Sequence, residues 1–531
     1  MLDTKFKDFL KLVVYQVYPR SFLDTDGDGI GNLNGVTRKL DYLCCLGVNA
    51  IWLCPCYQSP NDDNGYDISD YREINPKFGT MDDLKELIAG MHKRGMKLIM
   101  DLVPNHTSTL HKWFQESRKS KDNPYSNFYY WSDTIPNDWQ SAFGGGAWEF
   151  DGTRGQYYLH SYAIRQADLN WTEPAVVKAM QDVVDFWVDL GVDGFRIDVI
   201  DQISKDFEKG TNCFGPQLHE YINALFGREK TKHLFTVGEC WVSDIEEMKR
   251  HCAEERNELS TLFQFDHMEC GRQDKFTPGK DSLKTLRDIL IAWEKRTEEN
   301  DLLYSLFLGN HDQPPMISRL ANDTDLRYES ATCMAAMTYM LKGIPFIYQG
   351  QEYGTVSAHY DTIDSFDDVE SINAYKAFLE AHTPEETLEK VNFGSRDNAR
   401  RPFCWTGEGG FTEGKPWIAP HSRQMEINLE ADLKRDRSVF RFYQQILKLR
   451  KENPALIEGR FQVLSESGDD FFVFTRTLGA ERWTVACNFD TPGTIRLPED
   501  CGEVVLSNCD LSELPLFSAY QCVIWHKAAC S

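Results

Sequence analysis

The stretch Gly194-Phe195-Arg196-Ile197-Asp198-Val199 is a short apolar segment that carries an arginine and an aspartate two positions apart. Its composition favours a buried β-strand, and side chains two positions apart on a strand point to the same side. A guanidinium beside a carboxylate is expected to lower the pKa of that carboxylate, here Asp198. An ionised carboxylate on a rigid strand suits a covalent nucleophile, although a structural ion pair would show the same pattern.

Seven further short apolar segments occur along the chain and alternate with helix-like stretches. The eight candidate strands are residues 13–18, 50–53, 97–103, 194–199, 234–237, 261–264, 303–308 and 346–348. Short buried strands that alternate with helices are typical of an α/β fold with a parallel sheet. Eight of them predict a (β/α)8 TIM barrel.

Two regions do not fit a simple barrel. The connection after the third strand is too long for a loop, which predicts an inserted subdomain. Near the C-terminus the pattern becomes purely β, which predicts an antiparallel β-sandwich. The predicted domains are the barrel at 1–103 and 171–454, the insert at 104–170 and the sandwich at 455–531.

The composition excludes several classes of partner. The 531 residues carry a net charge of −25, which argues against binding to nucleic acid or to an anionic membrane. No apolar run approaches the roughly 20 residues of a membrane span, and the N-terminus lacks a signal-peptide pattern. The 15 cysteines are expected to be reduced thiols, so a cytoplasmic protein is predicted. No feature of the sequence indicates an oligomeric state.

Charged residues lie at the ends of four predicted strands. Catalytic groups of such barrels come from the C-terminal ends of several different strands. Three carboxylates, two histidines and an arginine are therefore expected to meet at one mouth of the barrel. These residues are Asp198, Glu239, Asp312, His106, His311 and Arg196.

The motifs that hold these residues resemble the four signature regions of the alpha-amylase superfamily, glycoside hydrolase family 13. They are Asp101-Leu102-Val103-Pro104-Asn105-His106, Gly194-Phe195-Arg196-Ile197-Asp198, Glu239 and Asn310-His311-Asp312. Other segments are similar to motifs of the oligo-1,6-glucosidase subgroup, namely residues 63–67, 166–170, 367–371 and 395–400. The resemblance extends over essentially the whole chain and implies a retaining, exo-acting α-glucosidase that acts on short oligosaccharides.

The resemblance also implies a role for each matching residue. Asp198 is expected to be the nucleophile and Glu239 the general acid and base, as in other retaining glycosidases. Asp312 is expected to hold sugar hydroxyls near the distorted ring. Residues expected to bind the terminal glucose are Tyr66, which would stack on the sugar, Arg196, His106 and His311, with Asp67 and Arg396 closing the pocket.

Linkage preference is expected to depend on the residue after the nucleophile. In this subgroup a valine at that position is associated with α-1,6 bonds, although Val199 could also be an ordinary strand residue. Trp241 and Glu370 match positions that line the next sugar subsite. Pro315 departs from the subgroup, where an arginine usually stands.

The segment Asp24-Thr25-Asp26-Gly27-Asp28-Gly29-Ile30-Gly31-Asn32 has the alternating oxygen ligands of a calcium loop. It resembles the first-loop calcium site of the subgroup, although a plain Asp/Gly turn would look similar. The expected ligands of a structural Ca²⁺ are Asp24, Asp26, Asp28, Asn32 and the Ile30 carbonyl. No organic cofactor is implied.

Other functions of the same fold stay open at this point. Trehalose-6-phosphate hydrolase and sucrose hydrolase are alternatives, because the sequence alone does not place a phosphate site. Sucrose isomerase is disfavoured, since its characteristic loop is replaced by Gly271-Arg272-Gln273-Asp274-Lys275. A non-enzyme, the heavy subunit of amino-acid transporters, would require a membrane span and degraded catalytic positions, and the sequence shows neither.

Overall fold

The computed structural model describes residues 4–496 and 501–528 and confirms the (β/α)8 barrel. All eight predicted strands are present and belong to one parallel sheet. Their bounds are β1 Val14–Val17, β2 Ala50–Leu53, β3 Lys97–Leu102, β4 Gly194–Ile197, β5 Phe235–Glu239, β6 Thr261–Phe263, β7 Ser305–Phe307 and β8 Ile344–Tyr348.

The strands follow the order β6-β5-β4-β3-β2-β1-β8-β7, with parallel pairing between all neighbours in this series. Side-chain hydroxyls bridge the remaining seam between β6 and β7. Thr261 Oγ1 donates to the Leu303 carbonyl at 2.7 Å, and Ser305 Oγ donates to the Leu262 carbonyl at 2.5 Å. The sheet therefore closes on itself, and the C-terminal ends of all eight strands share one mouth.

Burial on both faces explains why these segments read as continuous apolar runs. Every residue of β1, β2, β4, β6, β7 and β8 is buried, since helices cover the outside and side chains fill the inside. The helix Pro174–Leu190, which leads into β4, shows how local sequence sets the helix bounds. Glu173 caps its first turn, proline occupies its first position, and Gly191 ends it at φ +107°.

The helices are short and mostly amphipathic. Their bounds are Thr4–Phe9, Leu33–Arg38, Leu40–Leu46, Met81–Lys93, Lys112–Ser117, Pro174–Leu190, Leu218–Phe226, Ile245–Cys252, Leu283–Glu299, Met316–Leu320, Arg327–Tyr339, Val369–Phe378, Pro384–Gly394, Asp397–Arg400, Leu429–Leu433, Val439–Glu452 and Pro454–Ile457. Within the described residues, no helix has the length and apolar character that a bilayer crossing requires.

Short antiparallel strands occupy the connection between β3 and β4. They are His106–Ser108, paired with Gln166–Asp168, and the sheet Trp131–Ser132, Gln156–Leu159 and Trp148–Asp151. Two further ribbons lie in barrel loops: Tyr57–Gln58 with Asp70–Ile74, and Arg272–Asp274 with Thr277–Pro278. The buried ion pair between Lys205 and Asp168, 2.8 Å long, joins the 104–170 region to the loop after β4.

The C-terminal region is an antiparallel sandwich, as predicted. Its five-stranded sheet has the order Arg460–Val463, Phe471–Leu478, Glu481–Asn488, Cys522–Lys527 and Glu503–Ser507. A ribbon of Gly493–Thr494 and Leu516–Phe517 shares a small apolar core with this sheet. The sequence pattern also predicts a strand at 494–497, whose last residue lies outside the described residues, as do residues 1–3, 498–500 and 529–531. The domain limits proposed from the sequence stay a prediction.

Candidate active site

Arg196 lies at the centre of the site and binds carboxyl groups from three adjacent strands. The register of the sheet pairs Arg196 with Asp101 on β3 and with Val237 on β5, so Glu239 lies at the mouth two residues further along. Arg196 Nη1 donates to Asp101 Oδ1 and Asp198 Oδ1, both at 2.8 Å, and Nη2 donates to Glu239. Arg196 is 1% exposed.

One guanidinium therefore faces three carboxyl groups away from water. Burial raises the pKa of Asp101 to about 6, although Arg196 opposes this rise. Burial also raises the pKa of Asp198 well above its usual range; Arg196 opposes this rise, and the charges of Glu239 and Asp101 add to it. Arg196 does act to lower the pKa of Asp198, as expected from the sequence, but burial outweighs it and the net shift is upward. At acidic pH the cluster holds a proton.

Asp312 has the opposite environment. Arg400 Nη2 donates to its Oδ1 at 2.5 Å, and Arg396 Nη1 lies 3.4 Å from the same oxygen. His311 Nε2 lies 3.1 Å from Asp312 Oδ2. Although burial acts to raise it, these three neighbours hold the pKa of Asp312 well below its usual range. Asp312 is therefore ionised while the Arg196 cluster can still carry a proton.

Tyr66 and His311 form the floor between these two groups. Tyr66 donates its hydroxyl to Asp101 Oδ2 at 3.0 Å, and its oxygen lies 2.6 Å from His311 Nε2. The two rings stack with centroids 5.3 Å apart. Burial lowers the pKa of His311 to about 3, so this imidazole is neutral at physiological pH. His311 is completely buried, whereas Tyr66 keeps 6% of its surface exposed and has the kind of ring that packs against an apolar sugar face.

His106 lies on the side of the pocket formed by the 104–170 region. Its Nε2 lies 3.2 Å from Gln166 Nε2, and that amide donates to Asp63 Oδ2 at 3.0 Å. Burial lowers the pKa of His106 to about 4, which makes it a neutral imidazole. The structure therefore brings His106 to the same pocket as His311, as predicted from the strand-end motifs.

Asp67 does not take the position expected for it. It is fully buried, and its carboxylate accepts hydrogen bonds from Ser59 Oγ at 2.8 Å and from the backbone N–H groups of Asp62 and Asp63. Its carboxylate therefore holds the loop together and does not meet Arg396. Asp63 takes that place, with its Oδ1 3.3 Å from Arg396 Nη2.

Two residues of this network were not singled out from the sequence. Asp368 accepts hydrogen bonds from Arg396 at 2.6 and 2.9 Å, and Arg400 binds Asp312. Both stand inside motifs recognised from the sequence, as does Asp63. The sequence does not show which of several acids or arginines in one motif faces the pocket, because the fold sets the side-chain directions.

The outer side of the pocket holds the predicted specificity residues. Val199 adopts a left-handed backbone conformation, φ +34° and ψ +51°, which is rare for a β-branched residue and points its N–H at Glu239 Oε2, 3.4 Å away. Trp241 is 53% exposed and stacks on Phe265 with centroids 4.5 Å apart. Glu370 binds Lys275 and lies 3.4 Å from Arg396 Nε. All three predicted residues therefore lie near the mouth.

Pro315 directly precedes the helix Met316–Leu320. It carries no charge, but a cation from another loop reaches the same region. Arg272 Nη1 donates to Gln313 Oε1 at 2.9 Å and also binds Glu269. An arginine is therefore present on the leaving-group side of the site, although Pro315 stands where the subgroup usually has one.

The Asp24–Asn32 loop lies apart from the carboxyl cluster. The carboxylates of Asp24, Asp26 and Asp28 each place one oxygen within 4.8 Å of the others. Asn32 Oδ1 caps the helix Leu33–Arg38 by accepting from Gly35 N at 2.9 Å, and Asn32 Nδ2 donates to Asp26 Oδ1 at 3.0 Å. The cap fixes the amide orientation, so Asn32 offers a donor where a cation requires an oxygen. Of the expected side-chain ligands, the three aspartates therefore lie close enough together to share an ion, whereas Asn32 does not offer them an oxygen.

At its mouth the parallel eight-stranded barrel holds two carboxyl groups bound to one arginine, together with a third, ionised carboxylate. This fold and this site define the class of glycoside hydrolases. The family model for the alpha amylase catalytic domain matches residues 16–459, and the chain belongs to the alpha-amylase family. The carboxyl groups Asp198, Glu239 and Asp312 are all present at the mouth, which argues against the transporter-subunit alternative.

Relatives match over nearly the full length. An oligo-1,6-glucosidase of Parageobacillus thermoglucosidasius is 42% identical, with 94% of each chain covered. The crystal structure of Bacillus licheniformis trehalose-6-phosphate hydrolase has a TM-score of 0.90 at 39% identity, covering 98% of this chain and 99% of the other. An isomaltulose synthase structure from Erwinia rhapontici NX5 has a TM-score of 0.93 at 36% identity, with 99% of each chain covered.

The shared guanidinium leads to a prediction about pH. The negative charge of Asp101 helps to raise the pKa of Asp198, so the Asp101→Asn variant should shift the acidic limb of the pH–kcat/KM profile to lower pH. The measurement is the pH profile for hydrolysis of an aryl α-glucoside. Asp182→Asn, on the exposed face of the helix Pro174–Leu190, is the control and should leave the profile unchanged. A shift to higher pH in Asp101→Asn would contradict the argument.

Proposed function

We propose that the protein is a retaining, exo-acting α-glucosidase that removes terminal α-linked glucose from short oligosaccharides, with α-1,6 linkages preferred. The observation that carries this proposal is the binding of Asp198 and Glu239 to the same guanidinium of Arg196. Two carboxyl groups that share one guanidinium are held close together. This favours the separation of about 5 Å found in retaining enzymes over the roughly 6.5–9.5 Å of inverting ones.

The two carboxyl groups divide the chemistry between them. Glu239 donates a proton to the glycosidic oxygen while Asp198 attacks the anomeric carbon, so the leaving group departs and a glucosyl–Asp198 ester forms. Glu239, now ionised, takes a proton from water, and the resulting nucleophile breaks the ester to release α-glucose. Arg196 stabilises the carboxylate charges that appear in both steps.

The neighbouring residues bind the glucose ring. Asp312, kept ionised by Arg400 and Arg396, accepts hydrogen bonds from ring hydroxyls and favours the distorted ring of the transition state. Neutral His106 and His311 donate hydrogen bonds, since a neutral imidazole still carries one N–H. Tyr66 stacks on the apolar face of the sugar.

The exo mode follows from the closed inner end of the pocket. Arg396 spans from Asp368 at 2.6 Å to Asp63 at 3.3 Å, and both carboxylates are buried. A sugar chain cannot continue through this ion-pair network. Only a terminal residue therefore reaches Asp198.

The charges on the leaving-group side favour a neutral substrate. Lys275 is bound to Glu370, and Arg272 is bound to Glu269, so neither cation is free for a phosphate. A sugar phosphate would also approach the Glu370 carboxylate. Hydrolysis of trehalose-6-phosphate therefore stays the second candidate function. The relative named trehalose-6-phosphate hydrolase supports it, whereas these ion pairs do not.

The first test is the Asp198→Asn variant. It should lose about 10⁴-fold or more in kcat for glucose release, because the covalent step loses its nucleophile, while the thermal unfolding transition stays intact. With the unsubstituted protein, NMR should detect α-glucose first. Early β-glucose would refute retention, and faster cleavage of trehalose-6-phosphate than of isomaltose, maltose or sucrose would favour the second candidate.

The second test concerns Val199. Replacement by threonine keeps the size but adds a hydroxyl next to Glu239, and we expect the ratio of kcat/KM for isomaltose over maltose to fall by about 10-fold. Val199→Ile keeps an apolar branched side chain and should keep the preference for isomaltose. An unchanged ratio in Val199→Thr would show that Val199 does not determine the linkage preference.

We also propose that the Asp24–Asn32 loop binds a structural Ca²⁺. Hard carboxylate oxygens suit this ion, and Asp24, Asp26 and Asp28 supply them, with the Ile30 carbonyl as a further ligand. The Asn32 amide reduces the affinity, because it donates to Asp26 and adds no negative charge.

This proposal predicts that Asn32→Asp strengthens calcium binding. An aspartate can cap Gly35 with one oxygen and offer the other to the ion, so calcium should raise the Tm of the variant more than that of the unsubstituted protein. The measurement is the difference in Tm between excess Ca²⁺ and excess chelator. Asn34→Asp, which adds the same charge just outside the loop, should show no added calcium response. Equal responses of both variants would argue against the site.

A cytoplasmic location is also part of the proposal. Buried cysteines such as Cys54, Cys240 and Cys487 are free thiols, which suits a reducing compartment. Fractionation of the native host's cells with an antibody to the protein tests this location. Its recovery outside the cytoplasm would contradict the proposal.

A further inference from the structure

A second cluster of ligating side chains lies on the outside of the barrel, behind β4 and β5. The helix Leu218–Phe226 carries His219, and the helix Ile245–Cys252 carries Glu247 and His251 one turn apart. One ligand atom from each of these three residues lies within 4.8 Å of the other two. None of them contacts the carboxyl cluster around Arg196.

The gap between these atoms is the size of a metal ion. His219 Nε2 and His251 Nδ1 both lie 3.7 Å from Glu247 Oε1, beyond hydrogen-bond distance. A tetrahedral zinc ion with bonds of about 2.0–2.1 Å separates its ligand atoms by about 3.4 Å. Each histidine nitrogen therefore needs to approach Glu247 Oε1 by only about 0.3 Å to match the spacing of two zinc ligands.

The surroundings of His219 orient it as a ligand. Its Nδ1 lies 2.8 Å from Glu258 Oε2, and Arg256 Nε holds the other oxygen of that buried carboxylate at 2.9 Å. A carboxylate on the far nitrogen fixes the orientation of the ring, as in many zinc-binding histidines. His219 Nε2 is left to face Glu247.

His251 is fully buried and is not fully satisfied by its neighbours. Its Nδ1 lies 2.9 Å from the Glu247 carbonyl, while its Nε2 has no hydrogen-bond partner. Ion binding at Nδ1 would place the ring proton on Nε2 and exchange one backbone hydrogen bond for a metal bond.

A cavity of about 430 Å³ opens beside the cluster and gives an ion access from solvent. It is lined by Phe214, Leu218, His219, Trp241, Glu247 and Arg250. Arg250 binds Glu247 Oε2 at 3.1 Å, which leaves Oε1 for the ion. Two imidazoles and one carboxylate select a zinc-like ion over calcium or magnesium, which prefer oxygen ligands.

We propose that His219, Glu247 and His251 bind one zinc-class divalent ion, with a water from the cavity as the fourth ligand. The ion ties the helix that follows β4 to the helix that follows β5. Since β4 leads into Asp198 and β5 carries Glu239, the ion stabilises the outer support of both carboxyl groups. Its role is structural.

The test uses the full chain after chelator treatment. Titration with Co²⁺ should give one equivalent with the visible absorption of a tetrahedral site, and Zn²⁺ should displace it. The His219→Gln and Glu247→Gln variants should lose this equivalent. Glu258→Gln, which alters only the support of His219, should weaken zinc binding by about 10- to 100-fold. Circular dichroism confirms that each variant is folded.

The matched control is His359→Gln. His359 also has a carboxylate neighbour, Glu389 at 3.6 Å, but lies on the surface outside the cluster, and its replacement should leave cobalt binding unchanged. A sulfur-to-cobalt charge-transfer band would assign the ion to thiols such as Cys240 or Cys252 and overturn the proposal. So would the absence of a tetrahedral spectrum, or a spectrum that persists in both His219→Gln and Glu247→Gln.

Discussion

The site depends on one buried arginine that is shared by three carboxyl groups. Removing several charges from water costs free energy unless each is paired in good geometry. Arg196 meets this requirement for Asp101, Asp198 and Glu239 at once, because the parallel register sets β3, β4 and β5 side by side. The same contacts that offset the cost of burial also fix the relative positions of the two reacting groups.

The two halves of the pocket differ in charge balance. Around Arg196, carboxyl groups outnumber the cation, so the cluster retains a proton as the pH falls. Around Asp312, two arginines flank one acid, so that acid stays ionised. The pocket therefore retains a proton in the Arg196 cluster at a pH at which Asp312 is already ionised.

The barrel and its strand-end groups could be predicted because both leave local signals. Buried strands read as apolar runs, and the charged residues that follow them are conspicuous. Asp67 was expected beside Arg396, but Asp63 of the same motif contacts that arginine, and only the folded loop shows which side chain points inward. The pKa of Asp198 could not be predicted from Arg196 alone, since burial and the neighbours on β3 and β5 decide it. Asn32 lies in the loop where it was expected, but its Oδ1 accepts from Gly35 N–H, so the amide nitrogen and not the oxygen faces Asp26.

The ion-pair network of Arg396 with Asp63 and Asp368 also imposes an order on product release. A glucose unit held in a pocket closed at its inner end can leave only through the mouth that the leaving oligosaccharide occupies. The shortened chain therefore departs first, and glucose follows. Each cleavage is then a separate encounter between enzyme and chain, so degradation is distributive: a mixed pool of oligosaccharides shortens evenly, one unit at a time, and no single chain is consumed to completion before the next is bound.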